Sequence, residues 1–408
     1  MQNKAGRKYV ILVGDGMGDL PIAELGNRTP LMAAHTPAMD FVAGHGELCL
    51  LRTVPEGFAP GSDVANLSLL GYVPGECYSG RAPLEAASLG VDLAEDEIAF
   101  RCNLVTLRFA PEGRVFMEDY SSGHISSEEA AELIGAIQKA AGSERLRFHA
   151  GVSYRHLLVH KGDPGLAATV PPHDHSGREV TEFWQRYQAI PHLAAALARV
   201  VACLAEHPVN RARVARNLNP ANAIWLWGEG KAPAMATIKE QYGVEGALIS
   251  AVDLLRGIGV YAGLEIIRVD GATGYLDTNY AGKAAAALAA LEKKDLVFVH
   301  VEAPDETAHQ GRLADKIRAI EDFDSKIVQP VLDGLAQSGA DFRLVVAMDH
   351  FTPLVTRTHS AQPVPVAIYD SRRPDQGSGL PYDEESGGRA GEILADGRQF
   401  FRRILEMG

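Results

Sequence analysis

Short apolar, β-branched runs punctuate the chain at Tyr9 to Val13, Ile224 to Trp227, Glu265 to Val269, Leu296 to Val301 and Arg343 to Ala347, each closely followed by Gly or an acidic residue. Uninterrupted runs of this length predict strands buried on both faces, as in a parallel sheet. Alanine-rich helical patterns such as Pro191 to Glu206 and Ala281 to Lys293 lie between them. The β-α alternation predicts a layered α/β sheet, in which ligands bind beyond the carboxyl ends of the strands.

That alternation weakens between Glu85 and Arg178, where turn-like and polar segments surround a clear helix, Glu128 to Ala141. Ser126 and Glu129 have the spacing of a capping box for it. The stretch predicts an inserted α+β cap domain over residues 85–184, with the core built from 1–84 and 185–408. A second domain also suits a chain of 408 residues, because that exceeds the size at which a single hydrophobic core stops growing. Ser371 to Arg389, rich in Gly, Asp and Pro, predicts a loop.

Charge and composition narrow the partners. With 46% hydrophobic and 22% charged residues the chain is ordinary for a globular protein, and its apolar stretches fall short of the ~20 residues a membrane span needs. A net charge of -13 disfavours nucleic acid and anionic membrane, so an anionic substrate needs a local cluster of metal ions or arginines. The apolar run near the N-terminus ends in Gly14-Asp15-Gly16 rather than a cleavage site, which predicts a cytoplasmic protein. Four scattered cysteines without a CxxC pair argue against disulfides and a thiolate zinc site.

The candidate chemistry sits at the predicted strand ends. The first strand runs into Gly14-Asp15-Gly16-Met17-Gly18-Asp19, which offers a carboxylate among glycines that admit a ligand. A plain turn is the bland alternative, and a dinucleotide loop would require GxGxxG spacing instead. In Pro60-Gly61-Ser62-Asp63 a serine opens a predicted helix, either as an N-cap or as a nucleophile activated by metal. After a further strand, Asp305 and His309 stand four apart, a spacing that puts carboxylate and imidazole on one helical face. Asp349-His350 ends another strand, and His359 follows. Adjacent charged groups at a strand terminus are costly unless paired or metal-bound. Together these residues supply enough ligands for two divalent cations, and oxygen mixed with imidazole favours Mn²⁺, Zn²⁺ or Mg²⁺.

GDGMGD, PGSDVANLSLLGY, SGRAPLEAAS, GATGYLDTNY, VEAPDETAH and MDHFTP, in that order and spread over nearly the whole chain, resemble the archaeal-type cofactor-independent phosphoglycerate mutases. The resemblance implies an alkaline phosphatase-like α/β core with an inserted domain, two divalent metals and a phosphoserine intermediate. Carried over by position, Ser62 is the phosphorylated serine and, with Asp15, Asp349 and His350, a ligand of one metal. Asp305, His309 and His359 are the ligands of the other. Gln310-Gly311-Arg312 and Phe351 depart from the usual pattern, which has an acidic residue after the glycine and often a proline after Asp-His. Asn219 to Gly228 and His207 to Arg211 resemble a bacterial branch of the family proposed to be a homoserine kinase.

The resemblance implies a small phosphorylated acid as substrate, with interconversion of 3-phosphoglycerate and 2-phosphoglycerate and a cap that shuts out water. Arg81, His124, Arg155 and His156 are the expected cationic partners, with Lys231 a further candidate and His173-Asp174 either substrate contacts or a capped turn. Phosphoryl transfer to another small acid, phosphomonoester hydrolysis and a catalytically silent metal-binding protein are the alternatives. No GxxxxGK[ST] loop is present to serve a kinase. The expected assembly is a monomer or small homo-oligomer.

Overall fold

A computed structural model describes residues 6–166, 169–374 and 377–406. The chain forms two compact units, Met1–Tyr78 with Ala234–Gly408, and Ser79–Pro233. In chain order the strands are β1 (Lys8–Gly14), β2 (Glu47–Leu51), β3 (Glu97–Phe109), β4 (Val115–Asp119), β5 (Leu146–Val152), β6 (Arg155–Lys161), β7 (Ala223–Gly230), β8 (Gly246–Ile249), β9 (Glu265–Ile267), β10 (Leu296–Val301), β11 (Phe342–Ala347), β12 (Val364–Asp370) and β13 (Ile393–Leu394).

The first unit holds a sheet ordered β13-β2-β12-β11-β1-β10-β8-β9. β1 is central and parallel to both β10 and β11, while β12 runs antiparallel between β11 and β2. Two groups of helices pack against this sheet. Helix Ser62–Leu69 contacts both Asp253–Tyr261 and Gly397–Leu405, and Gln329–Ser338 contacts both Pro37–His45 and Tyr280–Leu291. Cover on both faces explains why β10 and β11 are buried at every residue and read as unbroken apolar runs.

The second unit is an antiparallel sheet, β4-β3-β6-β5, with β7 also paired to β3. Helices Ser127–Ala141 and Pro191–Glu206 pack on each other and on this sheet, and helix Ala82–Ser88 contacts β3, β6 and β7. Ser126 caps the first of these helices by accepting from the Glu129 N–H. Only half of the expected box forms, because the Glu129 carboxylate is drawn away to Arg213 and Arg216.

Several expectations are corrected here. Ile224 to Trp227 lies in β7, antiparallel to β3, and Pro191–Glu206 packs in the second unit. That unit therefore runs from Ser79 to Pro233 rather than over 85–184. A strand sandwiched between helices carries the same apolar run in either sheet type. Glu265 to Val269 contributes only a short, partly exposed edge strand. The expected loop Ser371 to Arg389 contains helix Glu384–Ala390, capped by Asp383, and Asp375 and Gln376 in it lie outside the described residues. Among the described residues no single helix is long and apolar enough to cross a membrane.

Candidate active site

Three neighbouring strands deliver the acidic residues. β11, β1 and β10 lie side by side and parallel, so Asp349, Asp15 and Asp305, which follow them, all emerge at one end of the sheet. The Asp15 N–H extends the ladder to Val301 O at 2.9 Å. Gly16 then turns with φ +61°, and a Cβ there would come within 2.5 Å of Asp305 Oδ1 and 2.6 Å of Thr352 Oγ1. Only glycine allows this close passage.

The donors gather into two sets, Asp15 with Asp349 and His350, and Asp305 with His309 and His359. This is the division that the resemblance implied. Within each set the potential ligand atoms lie within 4.8 Å of one another. Ser62 joins the first set, its Oγ 3.2 Å from His350 Nε2. It occupies the first turn of helix Ser62–Leu69, whose N-cap is Gly61, so the hydroxyl is not spent on capping. Asp349 accepts from the N–H groups of Gly16 and His350 through Oδ1, at 3.0 and 2.9 Å, and from the Asn66 amide through Oδ2.

In the second set His309 Nδ1 donates to Arg357 O at 2.9 Å. That bond aims Nε2 at Asp305 Oδ2, 3.1 Å away, and at His359 Nε2, 3.0 Å away. Two imidazole nitrogens and a carboxylate converging in this way match a divalent cation in donor type and spacing. In the first set the fit rests on Asp15, whose Oδ1 is buried with no hydrogen-bond partner among the described residues.

Electrostatics within the two sets show the same stress. Burial, with the charges of Asp349, Asp305 and Glu302 nearby, pushes the Asp15 carboxyl well above the usual range. Burial would push Asp305 up as well, but hydrogen bonds from His309 and His359 outweigh it and hold Asp305 well below. The Asp305 carboxylate in turn pushes His309 up to about 9, against burial. Burial lowers His350 despite the nearby Asp349. A cation held by Asp15, Asp349 and His350 would relieve the stress on Asp15.

The cationic candidates belong to the second unit. Arg81 is half-buried and 3.6 Å from Glu85, which also pairs with buried Arg101 at 2.9 Å. Arg101 stacks 3.9 Å over Trp227, and burial with the charges of Arg81 and Arg155 lowers it to about 10. His124 is exposed in a left-handed conformation, φ +47°, with its ring near Tyr120 and Tyr154. His173 packs near Tyr120 and Trp227 and 3.6 Å from Asp174. Lys231 is exposed, its carbonyl accepting from Ser79 Oγ at 2.6 Å.

His156 is a correction. Arg155 and His156 are successive residues of β6, so their side chains leave opposite faces of the sheet. Arg155 is exposed, whereas His156 is 2% exposed and accepts the Gly151 N–H at Nδ1. Burial lowers it to about 3, which leaves it neutral and unsuited to bind an anion.

Supporting residues escaped the sequence reading. His300, fully buried on β10, reaches Asp15 Oδ2 at 3.0 Å. Buried Lys316 binds Asp19 Oδ2 at 2.8 Å together with the carbonyls of Gly18 and Thr352, clamping the loop after β1 to the loop after β11. Asn66, four residues after Ser62, was detectable by helical spacing. Nothing in sequence marked Lys316, and Thr352, although inside the motif MDHFTP, had no role there.

The layered core, strand-end aspartates and helix N-terminal serine define an α/β protein with two clusters of potential metal ligands at the ends of its central strands. The model of the family described as 2,3-bisphosphoglycerate-independent phosphoglycerate mutase matches residues 43–210. A relative of that description from Methanosarcina barkeri is 51% identical over 93% of this chain and 94% of its own. The chain belongs to the 2,3-bisphosphoglycerate-independent phosphoglycerate mutase family. A solved structure of a Pyrococcus horikoshii protein superposes with TM-score 0.81 at 28% identity, covering 98% of this chain and 97% of that one. The cofactor-independent phosphoglycerate mutase of Thermoplasma acidophilum does so with TM-score 0.67 at 25% identity, covering 98% and 99%.

Proposed function

We propose that this chain interconverts 3-phosphoglycerate and 2-phosphoglycerate through a phosphoserine on Ser62, with a divalent cation in each of the two donor sets. The observation that carries the reading is Ser62 Oγ standing 3.2 Å from His350 Nε2, beside Asp15 and Asp349, on a hydroxyl left free by the Gly61 cap. When bound, Mn²⁺, Zn²⁺ or Mg²⁺ supplies Lewis acidity and neutralises phosphoryl charge. Asp15, Asp349 and His350 hold the first cation, and Asp305, His309 and His359 the second.

Ser62 Oγ attacks phosphorus as the bond to the 3-oxygen of glycerate breaks, and that oxygen takes up the proton given up by the serine. The phosphoryl group then rests at the N-terminus of helix Ser62–Leu69, where unpaired N–H groups favour an anion. Attack by the 2-hydroxyl of the same glycerate restores the serine and its proton. Arg81, Arg155 and His124 of the second unit are the candidate partners of an anionic substrate, a role supported by the guanidinium charge that Arg81 and Arg155 bring near Arg101. Lys231 remains a further candidate for that role.

Phosphorus NMR of the metal-loaded protein with 3-phosphoglycerate, and no bisphosphoglycerate, tests this. Formation of 2-phosphoglycerate without inorganic phosphate is expected. Release of phosphate alone would mark a phosphatase, and inertness toward phosphoglycerate with ATP-dependent phosphorylation of homoserine would replace the mutase reading.

A further inference from the structure

Thr352 lies outside both donor sets yet touches each. It is fully buried on the loop after β11, and its hydroxyl donates to Asp305 Oδ1 at 2.5 Å. A hydroxyl has a single proton and a carboxylate oxygen only accepts, so that proton is committed. His350 Nδ1, 3.2 Å from the same Oγ1, must therefore donate. Neutral His350 then carries its proton on Nδ1, and its Nε2 lone pair faces Ser62 Oγ at 3.2 Å and the carboxylates of Asp15 and Asp349 at 3.5 and 3.4 Å.

The main chain holds this hydroxyl in place. Thr352 N–H donates to Gly18 O at 3.0 Å, and its carbonyl accepts from the Lys316 ammonium at 2.9 Å. Gly16 closes the remaining side, since even a Cβ there would approach Oγ1 to 2.6 Å.

We propose that Thr352 is a positioning residue that couples the two cation sites, its single hydroxyl setting the His350 tautomer in the first and the orientation of the Asp305 carboxylate in the second. The proposal rests on reading both sets as cation sites and is independent of which substrate is turned over. Without the hydroxyl Asp305 is released and His350 can take either tautomer, so both sets weaken together. Loss of a ligand, by contrast, weakens chiefly its own set. Outer-shell hydrogen-bond partners of metal ligands are typically worth ~10–100-fold in affinity.

The test is titration of metal-free wild type, Thr352→Val and Thr352→Ser with Mn²⁺, with free ion followed by electron paramagnetic resonance. Thr352→Val is expected to weaken both sites by about tenfold or more, and Thr352→Ser to bind like wild type. Weakening confined to a single site, unchanged affinity, or a serine variant as damaged as the valine variant would overturn the proposal. Wild type that bound no Mn²⁺ would remove its premise, whereas a wild type that bound Mn²⁺ without mutase activity would leave it intact. Long-range ¹H–¹⁵N correlation on histidine-labelled, metal-free wild type needs no variant. It should show His350 protonated at Nδ1, and the Nε2–H tautomer would refute the assignment.

Discussion

The side-chain amide of Asn66 donates to Asp349 Oδ2 at 2.9 Å and to the carbonyl of Ser62 at 2.8 Å. A single group thereby ties the first turn of the nucleophile's helix to a carboxylate delivered by β11. Position of the serine relative to the donors is a property of this joint, and small errors in such positions are costly in catalysis.

Ser62→Ala should abolish phosphoenzyme formation and lower kcat by about 10⁴-fold or more, as loss of a nucleophile does. Folding and cation content should stay near wild type, since Gly61 and not Ser62 occupies the cap. Acid-quenched labelling with ³²P-phosphoglycerate reads the intermediate, and a labelled alanine variant would remove Ser62 from the mechanism.

Asp305→Ala should reduce bound Mn²⁺ from two ions per chain to one, because it strips the carboxylate that His309 and His359 face. His350→Ala should spare the Asp305 set. Elemental analysis after dialysis measures both, and full occupancy in either variant would contradict the division into sets.

Metal-free protein should lose stability as pH rises from about 6.5 to about 9. His309 is held at about 9 in the folded state against an ordinary 6.5, so the folded chain binds more protons than the unfolded one across that window. The contribution is complete below 6.5 and gone above 9. After screening at this partly exposed ring the fall should be on the order of 1–2 kcal/mol. Urea denaturation at several pH values measures it, and metal-loaded protein should lack it because the ion replaces the proton.

Lys316→Met should destabilise the protein by about 3–5 kcal/mol, the usual cost of leaving a buried partner charge uncompensated. Asp19, buried beside Lys316 with both side chains at most 1% exposed, would lose its ammonium. Denaturant unfolding gives the value, and a loss below about 1 kcal/mol would show that the clamp between the two loops carries little.

Gly16→Ala should weaken cation binding and cost about 1–3 kcal/mol, from the left-handed φ together with the collision against Asp305 and Thr352. Calorimetric titration with Mn²⁺ and thermal unfolding should both register it.

Asp15, Asp305, His309, Asp349 and His350 were legible because each stands where an apolar run stops or at a helical spacing from one that does, and a charged residue at such a place demands a reason. The grouping into Asp15, Asp349, His350 and Asp305, His309, His359 came from resemblance rather than from spacing. The end of the second unit was misjudged because β7, covered by helices, carries the same apolar signature as a parallel core strand. His156 fails as a cationic partner because strand alternation sends it to the face opposite Arg155, into the interior.

Which side chains end the central strands, which serine opens a helix and that the core is a layered α/β sheet all follow from local periodicity and glycine placement along the chain. Packing in three dimensions sets which strands are neighbours, so that β11, β1 and β10 bring Asp349, Asp15 and Asp305 together and His300, Lys316 and Thr352 support them. Such partners come from chain segments distant in sequence, and a threonine or lysine takes its role from what faces it in space.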